Sequence, residues 1–171
     1  MNRKTIFAVV LAAIFIVFAV LILLKSVNQT AQAQHPQRLP AFCFLNLRHE
    51  SLTIDTVDCA HSVVIFYSPG CAFCEHEGAE LSRNAERFAG CKLFFVTMEP
   101  LDSAKAYTAR HQLLSHTGYY SLVDTTRLAV LEFGVRTIPT TFIYDRDKNL
   151  IKVLEGEINA KRLAKVIAEG K

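Results

Sequence analysis

The stretch SVVIFYSPGCAFC, Ser62 to Cys74, constrains this chain most. Val63 to Tyr67 is an unbroken run of β-branched and aromatic residues, the pattern of a strand buried on both faces. Pro69-Gly70 ends it. Cys71 and Cys74 follow with two residues between them, and Leu81, Ala85 and Phe88 then recur at helical spacing, predicting a helix from Cys71 to about Phe88. A strand that hands over to a helix at such a pair puts the first cysteine at the helix N-terminus. There, backbone N–H groups and the helix dipole favour a thiolate. The spacing lets the two sulfurs close a disulfide across the first turn. Cys71 reads as the exposed nucleophile, and Cys74, one turn in, as the thiol that resolves a mixed disulfide.

Other uses of a cysteine pair meet specific obstacles. Attachment of a c-type haem requires a histidine after the second cysteine, and Glu75 stands there. A zinc site requires about four ligands. Cys71, Cys74 and His76 supply three, and no second CxxC or HxxxH completes the set. A purely structural disulfide, and a soft-metal (copper) carrier using the two sulfurs, stay open as alternatives to redox chemistry.

The remaining pattern is α/β. Lys92–Met98 reads as a second buried strand and Asp102 to about Leu114 as a helix capped by Asp102-Ser103. YSLVD is a short strand, and Thr126 to Phe133 a short helix ending at Gly134. Thr140–Asp145 and LIKVLEG are strands joined by the turn RDKN, and Asn159–Glu169 is a closing amphipathic helix with Leu163, Val166 and Ile167 on one face. The order implies parallel crossovers first and an antiparallel hairpin last.

Three segments are expected along the 171 residues. Residues 1–25 carry Ile6 to Leu24, 19 residues without a polar side chain. As a helix that run covers roughly 28 Å, close to the thickness of a bilayer core. It is longer than the apolar core of most cleaved signals, so a retained signal anchor is expected. AQA at residues 31–33 offers a cleavage site if it is not retained. Arg3 and Lys4 ahead of it place the N-terminus in the cytoplasm and the rest outside, as a single-pass protein of the cytoplasmic membrane with a periplasmic or extracytoplasmic domain. Residues 26–38 read as a polar linker and 39–171 as the folded domain. The net charge of +3, without a basic block, argues against a nucleic-acid partner.

VRTIPTTFIYDRDKNLIKVLEGEI resembles the second half of a thioredoxin-like domain, in which an apolar residue and a cis-proline precede a strand. Here these are Ile138 and Pro139, at the kind of bond where cis is cheap. With the anchor, the lead-in LPAFCFLNLRHESLTI and the insert from Met98 to Val135, the chain is similar to membrane-anchored thioredoxins of the TlpA type, relatives of the AhpC/TSA redoxins. The resemblance implies a thioredoxin-like fold with an insert before the cis-proline loop. It implies thiol–disulfide exchange without a cofactor, in which Cys71 attacks, Cys74 resolves, and Thr137, Ile138 and Pro139 receive the substrate backbone. Implied partners are exported disulfide-bonded proteins, such as apocytochromes awaiting haem, and an upstream dithiol donor, with the protein a monomer. It also implies a carboxylate three residues after the second cysteine, Glu77, as a proton shuttle for Cys74, with Glu75 competing for that role. There are departures: the chain has no Trp, so Tyr67 and Pro69 occupy the region where one usually precedes the first cysteine. The peroxiredoxin pattern P-x-x-x-T-x-x-C is absent, so peroxidase chemistry is not expected.

In such a sheet Cys59 and Cys91 precede neighbouring parallel strands at the end away from the active site. A structural disulfide between them, or two separate thiols, are the alternatives. Cys43, between Phe42 and Phe44, reads as a small core residue. His76 reads as solvated or as a neighbour that favours the Cys71 thiolate, and His111 and His116 have no visible partner in the sequence.

Overall fold

A computed structural model of the chain describes residues 11–22 and 35–170. Two compact units result, residues 1–35 and 36–171. In the first, residues 11–22 are helical. The rest of the apolar run 6–24 lies outside the described residues, and among those described no helix is long and apolar enough to cross a membrane.

The second unit is a seven-stranded mixed sheet in the order β2-β1-β5-β4-β3-β6-β7. Its strands are β1 (Cys43–Asn46), β2 (Ser51–Thr53), β3 (His61–Phe66), β4 (Cys91–Thr97), β5 (Tyr119–Val123), β6 (Thr140–Tyr144) and β7 (Leu150–Glu155). The helices are α1 (Ala72–Arg83), α2 (Leu101–Arg110), α3 (Ala129–Glu132) and α4 (Ala160–Glu169). Strand β3 runs parallel to β4, and β4 to β5. Strand β6 returns antiparallel between β3 and β7.

Strand β3 is buried at every position because both of its faces are covered. Val63 and Ile65 join the core shared with α1 and α4, through Leu81, Leu163 and Ile167. Val64 and Phe66 face the other core, where Phe66 meets Phe133 and Phe142 edge-on at centroid distances of 5.1 and 5.8 Å. Alternation along a single strand thus feeds two cores. Asn159 caps α4, its side chain accepting from the Arg162 N–H at 2.9 Å.

Several boundaries differ from the sequence reading. The helix after Cys71 stops at Arg83, and Ala85–Phe88 is a separate 3₁₀ turn, because Asn84 (φ −117°, ψ 28°) leaves the helical basin. Pro100, not Asp102-Ser103, precedes α2, and no side chain caps that end. The helix expected from Thr126 shrinks to Ala129–Glu132 because Asp124 takes the preceding amides. Its Oδ1 accepts from the N–H groups of Thr126 and Arg127 and its Oδ2 from Ala129 N–H, and Arg127 turns left-handed at φ 59°. The lead-in is a hairpin, β1–β2, pairing with β5. The folded unit also starts earlier than residue 39: Gln37 O accepts from Leu150 N–H and Leu39 N–H donates to Lys148 O, so the chain before Leu39 lies along the sheet.

Candidate active site

The parallel strands β3 and β4, with antiparallel β6 between β3 and the edge, decide what meets at one end of the sheet. Phe66, the last residue of β3, pairs with Thr140, the first of β6. Whatever follows β3 therefore stands beside whatever precedes β6. These are the CxxC segment and the Ile138–Pro139 bond, which is cis.

Gly70, at φ +90°, makes the turn that β3 needs to enter α1. Cys71 then takes the N-cap position, in extended conformation. Its N–H donates to Ser68 O and its carbonyl accepts from Glu75 N–H at 2.9 Å. Cys71 is half-buried, whereas Cys74, one turn on, is 1% exposed and packs in the α1–α4 core. Between them Phe73 is 63% exposed. Burial pushes the Cys74 thiol up to about 12, with the neighbouring Cys71 and Glu77 adding to the effect against a lowering contribution from Ser68. The two cysteines are thus unequal, one accessible at a helix N-terminus and one buried as a neutral thiol.

Glu77 lies on the face of α1 that carries Cys74 and Leu81, and is 1% exposed. Thr141 Oγ1 on β6 donates to its Oε1 at 3.1 Å, while Oε2 is buried with no hydrogen-bond partner among the described residues. Burial raises its carboxyl to about 8, against the hydrogen bonds from Thr141 and the Ile158 backbone. Glu75 points elsewhere: it accepts from Arg110 and, at 2.7 Å, pairs with His111 Nε2. Burial works against its charge, but those hydrogen bonds outweigh it and hold the carboxyl below the usual carboxylate range. Of the two glutamates, Glu77 is thus the buried one on the face of α1 that carries Cys74, and Glu75 the ion-paired one.

Ile138, ahead of the cis bond, packs against both cores. Pro139 O accepts from Gly156 N–H, and Thr140 Oγ1 donates to Thr137 O. These bonds brace the loop 137–139 beside Cys71.

The sequence reading missed an aromatic and polar tie from α2. Tyr107 is buried and its hydroxyl donates to Cys74 O at 2.7 Å. Its ring lies tilted by 30° against that of Tyr67, at 4.2 Å between centroids, and meets His111 edge-on. A Cβ at Gly78 would stand 2.2 Å from the Tyr107 hydroxyl, so the glycine gives Tyr107 its place. His111 and His116, without visible partners in the sequence, bond Glu75 and Ser82. His76 is exposed and paired with Glu157.

At the other end of the sheet Cys59 and Cys91 are both buried and are not joined to each other in this structure. Cys91 lies opposite His61, so Cys59 sits two residues outside the pairing register. The Cys59 sulfur instead lies 3.2 Å from Ser62 Oγ and 3.7 Å from Lys148 Nζ. Cys43 is exposed, contrary to its reading as a core residue, because it lies on the uncovered face of the hairpin. Among the described residues no group of three His, Cys, Asp or Glu side chains stands ready to hold a metal ion.

An unequal cysteine pair at a helix N-terminus beside a cis-proline, on this mixed sheet, defines the thioredoxin-like class, the fold of thiol–disulfide oxidoreductases. The model of the AhpC/TSA family matches residues 36–153, and the chain belongs to that family. Solved structures share the fold at low identity. DsbF of MTB aligns with TM-score 0.69 and 17% identity over 80% of this chain and 99% of that one. A secreted Mycobacterium tuberculosis disulfide oxidoreductase homologous to E. coli DsbE gives 0.66 and 16% over 75% and 96%. StoA from Bacillus subtilis gives 0.62 and 18% over 77% and 98%. No curated protein matches at a significant level.

Proposed function

We propose that this protein is an exported, membrane-tethered thiol–disulfide oxidoreductase that reduces disulfides in exported proteins. The observation that carries the proposal is the contrast between Cys71, accessible at the start of α1, and Cys74, buried one turn later. The Cys71 thiolate attacks one sulfur of a substrate disulfide. The S–S bond breaks, a mixed disulfide forms, and the other substrate sulfur leaves as thiolate. Cys74 then loses its proton and attacks the Cys71 sulfur. This releases the second substrate thiolate and leaves a Cys71–Cys74 disulfide, two electrons having passed to the substrate.

Glu77 is suited to take the Cys74 proton. Its basicity is raised by burial, and its Oε2 has no hydrogen-bond partner among the described residues. The loop Thr137-Ile138-Pro139 offers its backbone to the extended substrate. The dithiol is the redox group and no cofactor enters the reaction. Membrane tethering is supported by the apolar run Ile6–Leu24, and export by the positive residues ahead of it. A reductive role, as in delivering reduced apocytochromes for haem attachment, follows the TlpA-type resemblance, with an upstream dithiol donor to regenerate the pair.

Reduction of insulin disulfides by the full chain in detergent, with dithiothreitol as electron source, tests the reading. Activity is expected, with its loss in Cys71→Ser and accumulation of a mixed disulfide in Cys74→Ser. Wild-type chain no faster than dithiothreitol alone contradicts it, and stoichiometric Cu(I) binding in its place would favour the metal-carrier alternative.

A further inference from the structure

Helix α2 belongs to the insert between β4 and the cis-proline loop, and one of its faces meets the redox segment at Cys74 and at Glu75. Tyr107, Arg110 and His111 are spaced i, i+3 and i+4, so they lie together on a helix surface. Tyr107 donates to the Cys74 carbonyl. Arg110 and His111 take the two oxygens of Glu75, four residues after Cys71. The Oε1 bound by Arg110 also accepts, at 3.4 Å, from the N–H of Gly70, the residue before Cys71. A carboxylate thus lies at the very end of α1 where the Cys71 thiolate must form. Alone it would oppose that negative charge and the favourable field of the helix N-terminus.

We infer that Arg110 is a positioning residue that keeps Cys71 reactive: by pairing with Glu75 it offsets a carboxylate at the first turn of α1 whose charge would otherwise oppose the Cys71 thiolate. The inference rests on Cys71 being the attacking thiol. Other polar groups near this end have partners of their own or are buried. His76 pairs with Glu157, Ser68 Oγ donates to Glu99, Thr141 bonds Glu77, and Tyr67 and Tyr107 are buried phenols. His111 shares Glu75 with Arg110 and supports the same neutralisation when protonated. Arg110 itself is exposed, so replacing it leaves the core intact.

The test is the rate at which iodoacetamide alkylates Cys71 in the reduced full chain at pH 7, read by mass on the Cys71 peptide. The readout follows the thiolate fraction and needs no substrate turnover. Arg110→Ala is expected to slow alkylation about threefold to tenfold. Arg110→Lys restores most of the rate. In a Glu75→Gln background Arg110→Ala has no further effect, and in 1 M salt its effect shrinks because the pair is exposed to solvent. An unchanged rate in Arg110→Ala overturns the inference. So does an equal slowing with and without the Glu75 charge, which would mark a purely structural contact. A wild type that alkylates in this charge-dependent way yet reduces no insulin would sink the proposed function and leave the role of Arg110 standing.

Discussion

The two ends of strand β3 each carry two cysteines, and they have opposite characters. At the start of the strand Cys59 and Cys91 are both buried, with the Cys59 sulfur against Ser62 Oγ and Lys148 Nζ. No helix begins there. At the end of the strand Cys71 opens a 12-residue helix, Cys74 is buried beneath the first turn, and a buried carboxyl and a cis-proline loop adjoin them. The difference teaches that thiol chemistry in this molecule is set by position on the fold. One accessible sulfur, one hidden sulfur and a helix N-terminus make the pair we propose as the redox centre. Two sulfurs of like burial beside a strand start make part of a core.

The largest effect that can break this contrast is on turnover. Cys71→Ser should abolish insulin reduction, while Cys59→Ala should leave it within about twofold, since a buried structural thiol is inert. Equal losses in both would erase the distinction. Glu77→Gln comes next. Insulin reduction at pH 8, where a carboxyl raised to about 8 is half ionised, should fall about tenfold or more, because resolution by Cys74 loses its proton acceptor. The same variant carries a signature in stability. The Glu77 carboxyl is raised by burial to about 8, so the folded chain holds its proton more tightly than the unfolded chain. Wild-type stability should therefore decline as pH rises from about 4.5 towards 8, by on the order of a few kcal/mol, and Glu77→Gln should lack that decline. Thermal unfolding of both proteins across this range reads the slope, and parallel curves would contradict the buried assignment.

Smaller effects sharpen the picture of the redox end. Gly78→Ala places a Cβ 2.2 Å from the Tyr107 hydroxyl and should destabilise by about 1–3 kcal/mol in denaturant titration, through overpacking. Tyr107→Phe removes only the hydrogen bond to the Cys74 carbonyl and should cost about 1 kcal/mol. A larger loss from Tyr107→Phe than from Gly78→Ala would mean that the hydroxyl, and not the shape of the slot, holds α2 in place.

The parts of this site that were legible in the sequence are the local ones. Cys71 and Cys74 are marked by spacing after a strand, and Pro139 by the resemblance of its segment to the cis-proline loop of thioredoxin-like domains. The choice of Glu77 over Glu75 was open because both follow the pair closely. The deciding signal was available: Glu77 falls at i+3 from Cys74 and i−4 from Leu81, on the apolar face of α1. The ties to Tyr107, Arg110 and His111 were not legible, since they join residues 33 to 36 apart through the packing of α2 on α1. Gly78 carried a faint mark of that contact, being a glycine inside a helix, where one costs stability unless a neighbour needs the space. The short α3 was overextended because Asp124 diverts backbone amides that a helical pattern assigns to the helix.

The central claim is that Cys71 and Cys74 form a reducing dithiol. Equilibrating the full chain in dithiothreitol or glutathione buffers, with Cys71→Ser as control, measures it directly. The account predicts one two-electron couple, absent in the control, with a potential near or below the roughly −270 mV of thioredoxin. A potential near the roughly −120 mV of DsbA would contradict the reductive direction, and no two-electron couple at all would contradict the redox assignment itself.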